Sequence, residues 1–229
     1  MQQLSVRLET VFEAVRDSRA WLERGRVIDI GSDHGFLSVR CLEEGVSDYA
    51  VCTDIHKGPA MKSLDSLEQA GFKDRCRVEV TDGLDGISLD PNDIVVIAGM
   101  GGLNIIDIFT RIIKDNPEDV LKRCGYVIQS QKSTHLVRSF FADKGFVFAD
   151  EKVCKDRGFF YNVIRLEYTG IPYKLSMRQM YYGPCLLNKD DELTGEYFAH
   201  LDEVFAVRAR GDEDIRAMLE EEYEDQRNN

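Results

Sequence analysis

The sequence predicts an α/β fold: a mostly parallel sheet, closed by antiparallel strands and covered by helices, followed by a C-terminal helical hairpin. Short apolar strand patterns alternate with helix patterns up to Tyr168. The stretch Arg26–Leu37 passes from an apolar strand through Gly31 and Gly35 into helix formers, which is typical of a ligand-binding strand–turn–helix unit. After Tyr168 the strand patterns stop and helical periodicity replaces them.

The elements up to the fourth strand are predicted from the spacing of apolar residues and from glycines at helix ends. The first is an amphipathic helix at Leu4–Glu23, ended by Gly25. Four strands follow, and the last of them is expected to break at Gly99. Their predicted bounds are Val27–Ile30, Asp48–Asp54, Arg75–Thr81 and Asn92–Ala98, with helices at Gly35–Glu44, Gly58–Ala70 and Gly102–Lys114.

The remaining elements divide the chain into two predicted domains, residues 1–168 with the sheet and residues 169–229 with the helical hairpin. A linker is expected at Thr169–Pro172 and an irregular segment at Met177–Pro184. The other predictions are a fifth strand at Gly125–Gln129, a helix at Ser133–Lys144, antiparallel strands at Phe146–Val153 and Phe159–Tyr168, and hairpin helices at Asp191–Arg210 and Asp214–Gln226.

Composition restricts the class of protein. The 43% apolar content supports a packed core, and no run of 18 apolar residues is present to cross a membrane. The N-terminus has no apolar segment of the signal-peptide kind. The six cysteines form no C-x-x-C motif, which argues against both a zinc site and a dense disulfide framework. We therefore expect a reduced, cytoplasmic protein without a metal, as a monomer or weak dimer.

Negative charge is concentrated towards the C-terminal end. The net charge is −12, and the 14 acidic and 4 basic residues of Asp190–Asn229 contribute −10 of it. A nucleic-acid partner is therefore expected to bind residues 1–189, because the acidic segment repels phosphate.

Residues with ligand-binding chemistry follow four predicted parallel strands, at Gly31–Gly35, Asp54, Asp82–Gly83 and Ala98–Gly102. Ligands of open α/β sheets bind at these carboxyl ends, so we expect one shared site. The G-x-G-x-x-G fingerprint of dinucleotide-binding proteins is absent from the first turn, which disfavours NAD.

The acids at these strand ends favour S-adenosylmethionine (SAM), because they repel a pyrophosphate but suit a cationic amino acid. Asp54 is expected to accept from both ribose hydroxyls and Asp82 from the adenine amino group, while Asp29 orders the turn or binds the SAM ammonium. An Asp after a strand is also a common helix cap, and that alternative stays open. The candidate cofactor-binding residues are Asp29, Gly31, Ser32, Gly35, Asp54, Ile55, Asp82, Gly83, Ala98, Gly99, Met100 and Gly101.

Several motifs resemble a known family. In order they are Asp29–His34, Gly83–Leu84 after an Asp, Ile97–Gly102 and Tyr182–Pro184, and the opening Leu4–Leu8 matches as well. Together they are similar to the bacterial tRNA adenine-22 N1-methyltransferases, the TrmK-like family, over nearly the whole chain. The pairing of Asp-Ile-Gly-Ser-Asp-His with Ala-Gly-Met-Gly-Gly is far more specific than one glycine motif.

The resemblance implies a class I SAM-dependent methyltransferase with a Rossmann-like sheet, which methylates N1 of an adenine in the D-arm of tRNA. It places Asp33 and His34 at the active site as catalytic residues: Asp33 to hold the adenine amino group or ease positive charge, His34 to stack or hydrogen-bond near the methyl. The alternatives are a helix cap and a turn-shaping histidine. The family usually has Gln-Pro-Asn after the fifth strand, whereas Gln129–Gln131 here lacks the rigid proline turn.

The acceptor side of this reaction needs alignment more than a base, because adenine N1 is a neutral nucleophile. A carboxylate near the ring would stabilise the cationic product. The target base is expected to be unpaired or flipped out, since N1 is engaged within a duplex. The candidate substrate-binding residues are Arg7, Gln129, Gln131, Lys132 and Tyr161, and Arg16, Arg19 and Arg138 are further candidate phosphate contacts.

Other functions stay open on the sequence alone. The overall acidity is unusual for an RNA-binding protein and favours a methyltransferase acting on a small molecule or a protein. A non-catalytic SAM- or RNA-binding module and an NAD-dependent redox protein are the remaining alternatives. Four strand ends with ligand-binding residues disfavour the module, since sensing requires fewer.

Overall fold

The strands form one seven-stranded sheet, seen in a computed structural model that describes residues 3–219. They are β1 (Arg26–Ile30), β2 (Tyr49–Asp54), β3 (Cys76–Val80), β4 (Ile94–Gly101), β5 (Gly125–Lys132), β6 (Phe146–Asp156) and β7 (Phe159–Tyr168). Their order is β3-β2-β1-β4-β5-β7-β6. Strands β1 to β5 are parallel to one another, and β7 is antiparallel to its two neighbours, β5 and β6. The predicted fold class is confirmed.

The helices cover both faces of this sheet. Apolar residues of α4 and α6 pack with Ile28 and Ile30 on one face, and those of α1, α2 and α3 pack with Val27 on the other. Successive residues of a strand point to opposite faces, so β1 contributes to both clusters. The helices are α1 (Val6–Ser18), α2 (Phe36–Glu43), α3 (Lys57–Gln69), α4 (Gly102–Asp115), α5 (Glu118–Leu121), α6 (Thr134–Asp143), α7 (Met177–Tyr182) and α8 (Glu192–Arg208).

The first helix is shorter than predicted. It ends at Ser18, and the prediction of a helix up to Glu23 is wrong. The Arg19 guanidinium donates to backbone carbonyls around the amino ends of β1 and β4, and this holds the following residues in a turn. Arg19 therefore lies at the edge of the sheet opposite the strand ends of interest, and the prediction that it contacts phosphate is wrong. Its acceptors are the carbonyl oxygens of Glu23, Arg26, Val46 and Asn92.

The fourth strand is longer than predicted. It continues past Ala98 to Gly101, and β5 continues beside it to Lys132. The pairing register shifts around Gly99, whose φ of +89° is accessible to glycine and strained for other residues. The glycines therefore form a β-bulge inside the strand, where the sequence predicted a break.

The C-terminal segment is more regular than predicted. Met177–Pro184 was expected to be irregular, but α7 forms there because Ser176 and Gln179 make a reciprocal capping box. Asp191 caps α8, and residues 213–219 are helical after the turn at Gly211. The rest of the predicted second hairpin helix lies outside residues 3–219. An apolar cluster joins these elements through Tyr182, Phe205, Ile215 and Met218, and the boundary at residue 168 stays a prediction.

Arg138 is a structural residue of this segment. Its side chain is fully buried, with Nε 2.8 Å from Glu151 Oε1 and Nη1 donating to the carbonyls of Met180 and Tyr181. Its Nη2 group also donates to Asn162 Oδ1. The prediction that Arg138 contacts phosphate is therefore wrong, because solvent does not reach the guanidinium.

All six cysteines are free thiols. Burial raises the pKa of each of them, to about 12 for Cys52 and for Cys124. No helix within residues 3–219 combines the length and the apolar character needed to cross a bilayer.

Candidate active site

A cavity of about 430 Å³ lies at the carboxyl ends of β1, β2 and β3, beside the first turns of α4. The strand order reverses between β1 and β4, and open α/β sheets bind ligands at such a switch point. The volume lies in the range of small-molecule sites. The lining residues are Ile30, Gly31, Thr53, Asp54, Ile55, Thr81, Asp82, Gly83, Met100, Asn104, Asp107 and Ile108.

Gly31 brings the ends of β1, β2 and β4 together at this cavity. Its backbone N–H donates to the Thr53 carbonyl at 2.8 Å, and its φ of +73° turns the chain out of β1. A Cβ atom at this position would lie 2.6 Å from the Met100 methyl carbon. The Met100 side chain therefore packs directly on the Gly31 backbone, which only glycine permits without displacement.

The cavity is lined by three carboxylates and, among residues 3–219, by no lysine or arginine. Asp54 lies at the end of β2, where its Oδ1 accepts from the His56 backbone N–H at 2.9 Å. Arg111 lies outside the cavity, and its guanidinium binds the lining residues Asp82 and Asp107, at N–O distances of 3.0 Å and 3.2 Å. The pKa of Arg111 is raised, chiefly by its hydrogen bond to Asp82. Arg111 thus anchors two acids of a lining that suits a cationic ligand and repels a pyrophosphate.

The contribution of α4 was missed by the sequence prediction. Asn104 and Asp107 line the cavity, and Arg111 anchors Asp82 from behind it. Positions 104, 107 and 111 lie on one face of a helix, because they are three and four residues apart. That spacing after the glycine bulge was a usable signal for these three residues.

The turn between β1 and α2 holds the predicted catalytic pair. Asp33 has a φ of +52° and an exposed side chain, and its carboxylate lies 3.6 Å from His34 Nε2. The His34 ring stacks on Phe36 with 5.1 Å between centroids. Neither Asp33 nor His34 lines the 430 Å³ cavity. Their catalytic roles stay predictions.

Two predicted cofactor residues, one at the end of β1 and one in this turn, contact other protein groups. Asp29 is 4% exposed, and its carboxylate accepts from the Ser38 hydroxyl. Burial raises the pKa of Asp29 to about 7, against the opposing effect of that hydrogen bond. The Ser32 hydroxyl lies 2.9 Å from that of Ser63 on α3. Among the predicted cofactor residues, Asp29, Ser32, Gly35, Ala98, Gly99 and Gly101 do not line the cavity, whereas Gly31, Asp54, Ile55, Asp82, Gly83 and Met100 do.

The place where the pairing of β5 with β7 stops, here called the β5–β7 notch, lies on the other side of the bulge and is bounded by Arg7, Gly99, Gln129 and Tyr161. The pairing between β5 and β7 stops at Gln129 and Val163, although β5 continues along β4. Arg7 of α1 spans the gap, with Nη1 2.8 Å from Gln129 Oε1 and Cζ 5.8 Å from the Tyr161 ring centroid. A Cβ atom on Gly99 would lie 3.3 Å from Arg7 Nη1.

The Gln129 side chain fixes the position of Arg7 in the notch. It is fully buried, and its Nε2 group donates to the Ser130 carbonyl at 2.7 Å. The amide oxygen is therefore left to accept from Arg7. Gln131 and Lys132 are exposed at the rim of the notch. The five predicted substrate-binding residues thus lie together around the ends of β4, β5 and β7.

A family model for tRNA (adenine(22)-N(1))-methyltransferase, TrmK, matches residues 27–221, most of the chain. The chain belongs to this family. The resemblance stated from the sequence motifs is confirmed, and the chain is an enzyme of the SAM-dependent methyltransferase class. The predictions of a cytoplasmic location, of a monomer or weak dimer and of no bound metal stay predictions.

Individual relatives agree with the family. The chain is 30% identical over 171 residues to a candidate tRNA methyltransferase of Mycoplasma genitalium, covering 72% of each chain. It is 26% identical over 166 residues to the Bacillus subtilis tRNA (adenine(22)-N(1))-methyltransferase, covering 72% of this chain and 65% of that one. The fold matches a candidate Streptococcus pneumoniae tRNA (m1A22) methyltransferase solved with S-adenosyl-L-methionine, with a TM-score of 0.77, 24% identity and coverage of 95% and 99%.

Proposed function

We propose that this chain transfers a methyl group from SAM to N1 of adenine 22 in the D-arm of tRNA. The observation that carries this is the position of the acidic cavity directly beside the predicted substrate-binding residues of the β5–β7 notch, at one sheet edge. The 430 Å³ cavity and the β5–β7 notch are separated by Met100 and Gly99 of the β4 bulge. Such adjacency is what a transfer between two bound molecules requires, since donor and acceptor must be held in line.

The residues of the cavity fit SAM. Asp54 supplies carboxylate oxygens for the ribose hydroxyls, and Asp82, fixed by Arg111, accepts from the adenine amino group. The acidic lining favours a cation, and SAM supplies a sulfonium methyl group when bound. Asp29 remains the proposed partner of the SAM ammonium group. Because the Asp29 carboxyl is buried beside Ser38, binding the ammonium requires either that the turn opens or that the carboxyl loses its proton.

The residues of the notch fit an adenine base. The partly exposed Tyr161 ring, with Arg7 over one face, is the proposed stacking surface, and the exposed Gln131 amide is the proposed hydrogen-bonding group for a base edge. Within residues 3–219, Arg7 Nη2 donates to no protein group and is available for the RNA. The bulge at Gly99 has no side chain, so a base can approach the methyl group closely.

Asp33 is the proposed carboxylate for the developing positive charge on the adenine ring, with His34 beside it. Asp33→Asn is expected to lower kcat and leave SAM affinity unchanged, because the side chain lies outside the SAM cavity. An unchanged kcat would reassign Asp33 to shaping the turn.

The test of the proposed function is nucleoside mass spectrometry of unmodified tRNA after incubation with the chain and SAM. One N1-methyladenosine per tRNA, lost when adenine 22 is replaced by guanine, is expected. Methyl transfer to a small molecule or protein without modified tRNA would favour the alternative acceptors, and SAM binding without any transfer would favour a non-catalytic module.

A further inference from the structure

The tip of the β6–β7 hairpin is a tight and fixed turn. Asp156 and Phe159 form its last pair, and the two loop residues Arg157 and Gly158 have φ of +51° and +84°. Positive φ at both loop positions is typical of the turn whose twist matches the flanking strands. The turn therefore holds Phe159 in a defined position.

This tip projects past the sheet edge beside the β5–β7 notch. Strand β7 runs antiparallel to β5, and the pair of Gln129 with Val163 is the last between them. Phe159 lies four residues before Val163 and so about 13 Å further out along the strand. Arg7 adjoins the same hairpin, because its backbone N–H lies 3.4 Å from Asp156 Oδ2.

The two faces of the hairpin tip differ. Phe160 packs against Tyr197 and His200 of α8. Phe159 and Tyr161 lie on the other face, since alternate residues of a strand share a face, and that is the face on which Arg7 covers Tyr161. Phe159 is 68% exposed. An exposed aromatic ring, that of Phe159, thus lies on the same face as Tyr161 and further out along the strand.

Arg157 adds a free positive charge to this tip. It is exposed and has no ion pair within residues 3–219, as is also true of Lys132 at the rim of the notch. The chain as a whole carries −12. A cation beside an exposed ring is the combination that binds single-stranded nucleic acid, through phosphate attraction and base stacking.

We propose that the hairpin tip of Arg157–Phe159 extrudes the target adenine: Phe159 stacks on the nucleotide next to it and Arg157 binds the adjoining phosphate. The inference rests on the proposed function and deepens it, because adenine N1 cannot react while it is paired. A small-molecule acceptor would need neither group, so the tip favours RNA.

Two tRNAs test the role of Phe159: one with the target adenine paired, and one with the opposing nucleotide made abasic. Phe159→Ala is expected to lower kcat/KM on the paired tRNA by about tenfold or more, the scale of a lost base stack. On the abasic tRNA the loss is expected to stay below about twofold, because no base pair has to be broken there. Phe159→Trp is expected to keep activity on both tRNAs. Trp21→Ala, which removes an exposed ring elsewhere, is the matched control.

Salt dependence tests the role of Arg157. Arg157→Gln is expected to reduce the slope of log Kd for tRNA against log salt concentration by about one, as for one lost phosphate contact. Arg24→Gln is the control, since that exposed arginine lies near the start of β1.

The outcomes separate this inference from the proposed function. If Phe159→Ala lowers kcat/KM equally on the two tRNAs, or on neither, the extrusion role is overturned. Methylation of tRNA by the unaltered chain would still uphold the proposed function. An unchanged salt slope for Arg157→Gln overturns the phosphate contact. Absence of N1-methyladenosine with the unaltered chain overturns the proposed function itself.

Discussion

Gly99 lies between the proposed SAM cavity and the β5–β7 notch, and its backbone faces the Arg7 guanidinium. An alanine there adopts a strained positive φ, at a cost of about 1–2 kcal/mol, and its Cβ meets the Arg7 guanidinium. Gly99→Ala is therefore expected to lower kcat about tenfold or more while SAM affinity stays unchanged. Single-turnover kinetics with saturating SAM measure this, and a large loss of SAM affinity would contradict it. Gly58→Ala, where a Cβ meets no atom within 4 Å, is the control.

Asp54 is the residue on which SAM binding most depends in this proposal. Asp54→Asn removes the charge but keeps the shape, and the lost charge-assisted hydrogen bonds correspond to about 1.5–3 kcal/mol. SAM is expected to bind about ten- to a hundredfold more weakly by calorimetry. Asp65→Asn, on the exposed surface of α3, is expected to change nothing. Equal affinities for the two variants would remove Asp54 from the site.

Asp29 makes the stability of the chain depend on pH. Its pKa is about 7 when folded and 3.8 as the ordinary value, so between these pH values the folded chain holds a proton that the unfolded chain has lost. The free energy of unfolding therefore falls as pH rises through this window and levels off above it, by about 1.4 kcal/mol per unit of pKa difference. Asp29→Asn is expected to flatten this fall. Urea unfolding of the unaltered chain and of the Asp29→Asn variant at pH 5 and pH 8 measures this fall. The same fall in the free energy of unfolding for both proteins would refute the prediction.

At the residue scale, the sequence predicted positions better than contacts. Gly31, Asp54 and Asp82 line the cavity as expected, because strand ends of a parallel sheet meet at one edge. The arginines were harder to predict, since charge alone does not separate a phosphate ligand from a residue that binds backbone carbonyls. Arg19 and Arg138 do the latter, and their acceptors are distant in sequence.

At the element scale, a buried ion pair helps to attach α7 and the loop before α8 to the sheet. Arg138 of α6 and Glu151 of β6 bind each other, and each also binds backbone of residues 180–186. The elements of this region therefore depend on both charges remaining buried together.

Arg138→Met is expected to destabilise the chain by about 3–5 kcal/mol, because Glu151 is left buried and unpaired. The double variant with Glu151→Leu is expected to recover part of that loss, which a double-mutant cycle from denaturant unfolding measures. Losses that simply add would show that the pair is not coupled. Lys174→Met, which breaks an exposed pair with Asp143, is the control.

Element types were predictable, whereas several ends were not. The parallel sheet and the antiparallel closing pair follow from local patterns along the chain. The continuation of β4 through Gly99 depends on pairing with β5, which is non-local. The end of α1 at Ser18 is accompanied by hydrogen bonds from Arg19 to the carbonyls of Arg26 in β1 and of Asn92 just before β4. The spacing of apolar residues in the sequence gives no indication of those contacts.

For the whole molecule, the distribution of charge limits how tRNA binds. The residues from Asp190 onward carry −10, whereas Arg7, Lys132 and Arg157 of the notch and hairpin tip have no ion pair among residues 3–219. The proposed RNA-binding surface therefore lies at the β5–β7 notch and the hairpin tip.

The salt dependence of tRNA binding is expected to be modest for this reason. Three phosphate contacts correspond to a slope of log Kd against log salt of about three. Filter binding over a range of salt concentrations measures it. A slope near that of proteins with about ten contacts would show that further surfaces take part.

The buried thiols have a practical consequence for labelling. Thiolates react with maleimides and thiols do not, so raised pKa values leave Cys41, Cys52 and Cys124 nearly inert at neutral pH. A fluorophore attached through Gly158→Cys would then report on the hairpin tip once the partly exposed Cys76 and Cys185 are replaced by serine. Quenching of that fluorophore by added tRNA would follow the approach of RNA to the sheet edge in real time.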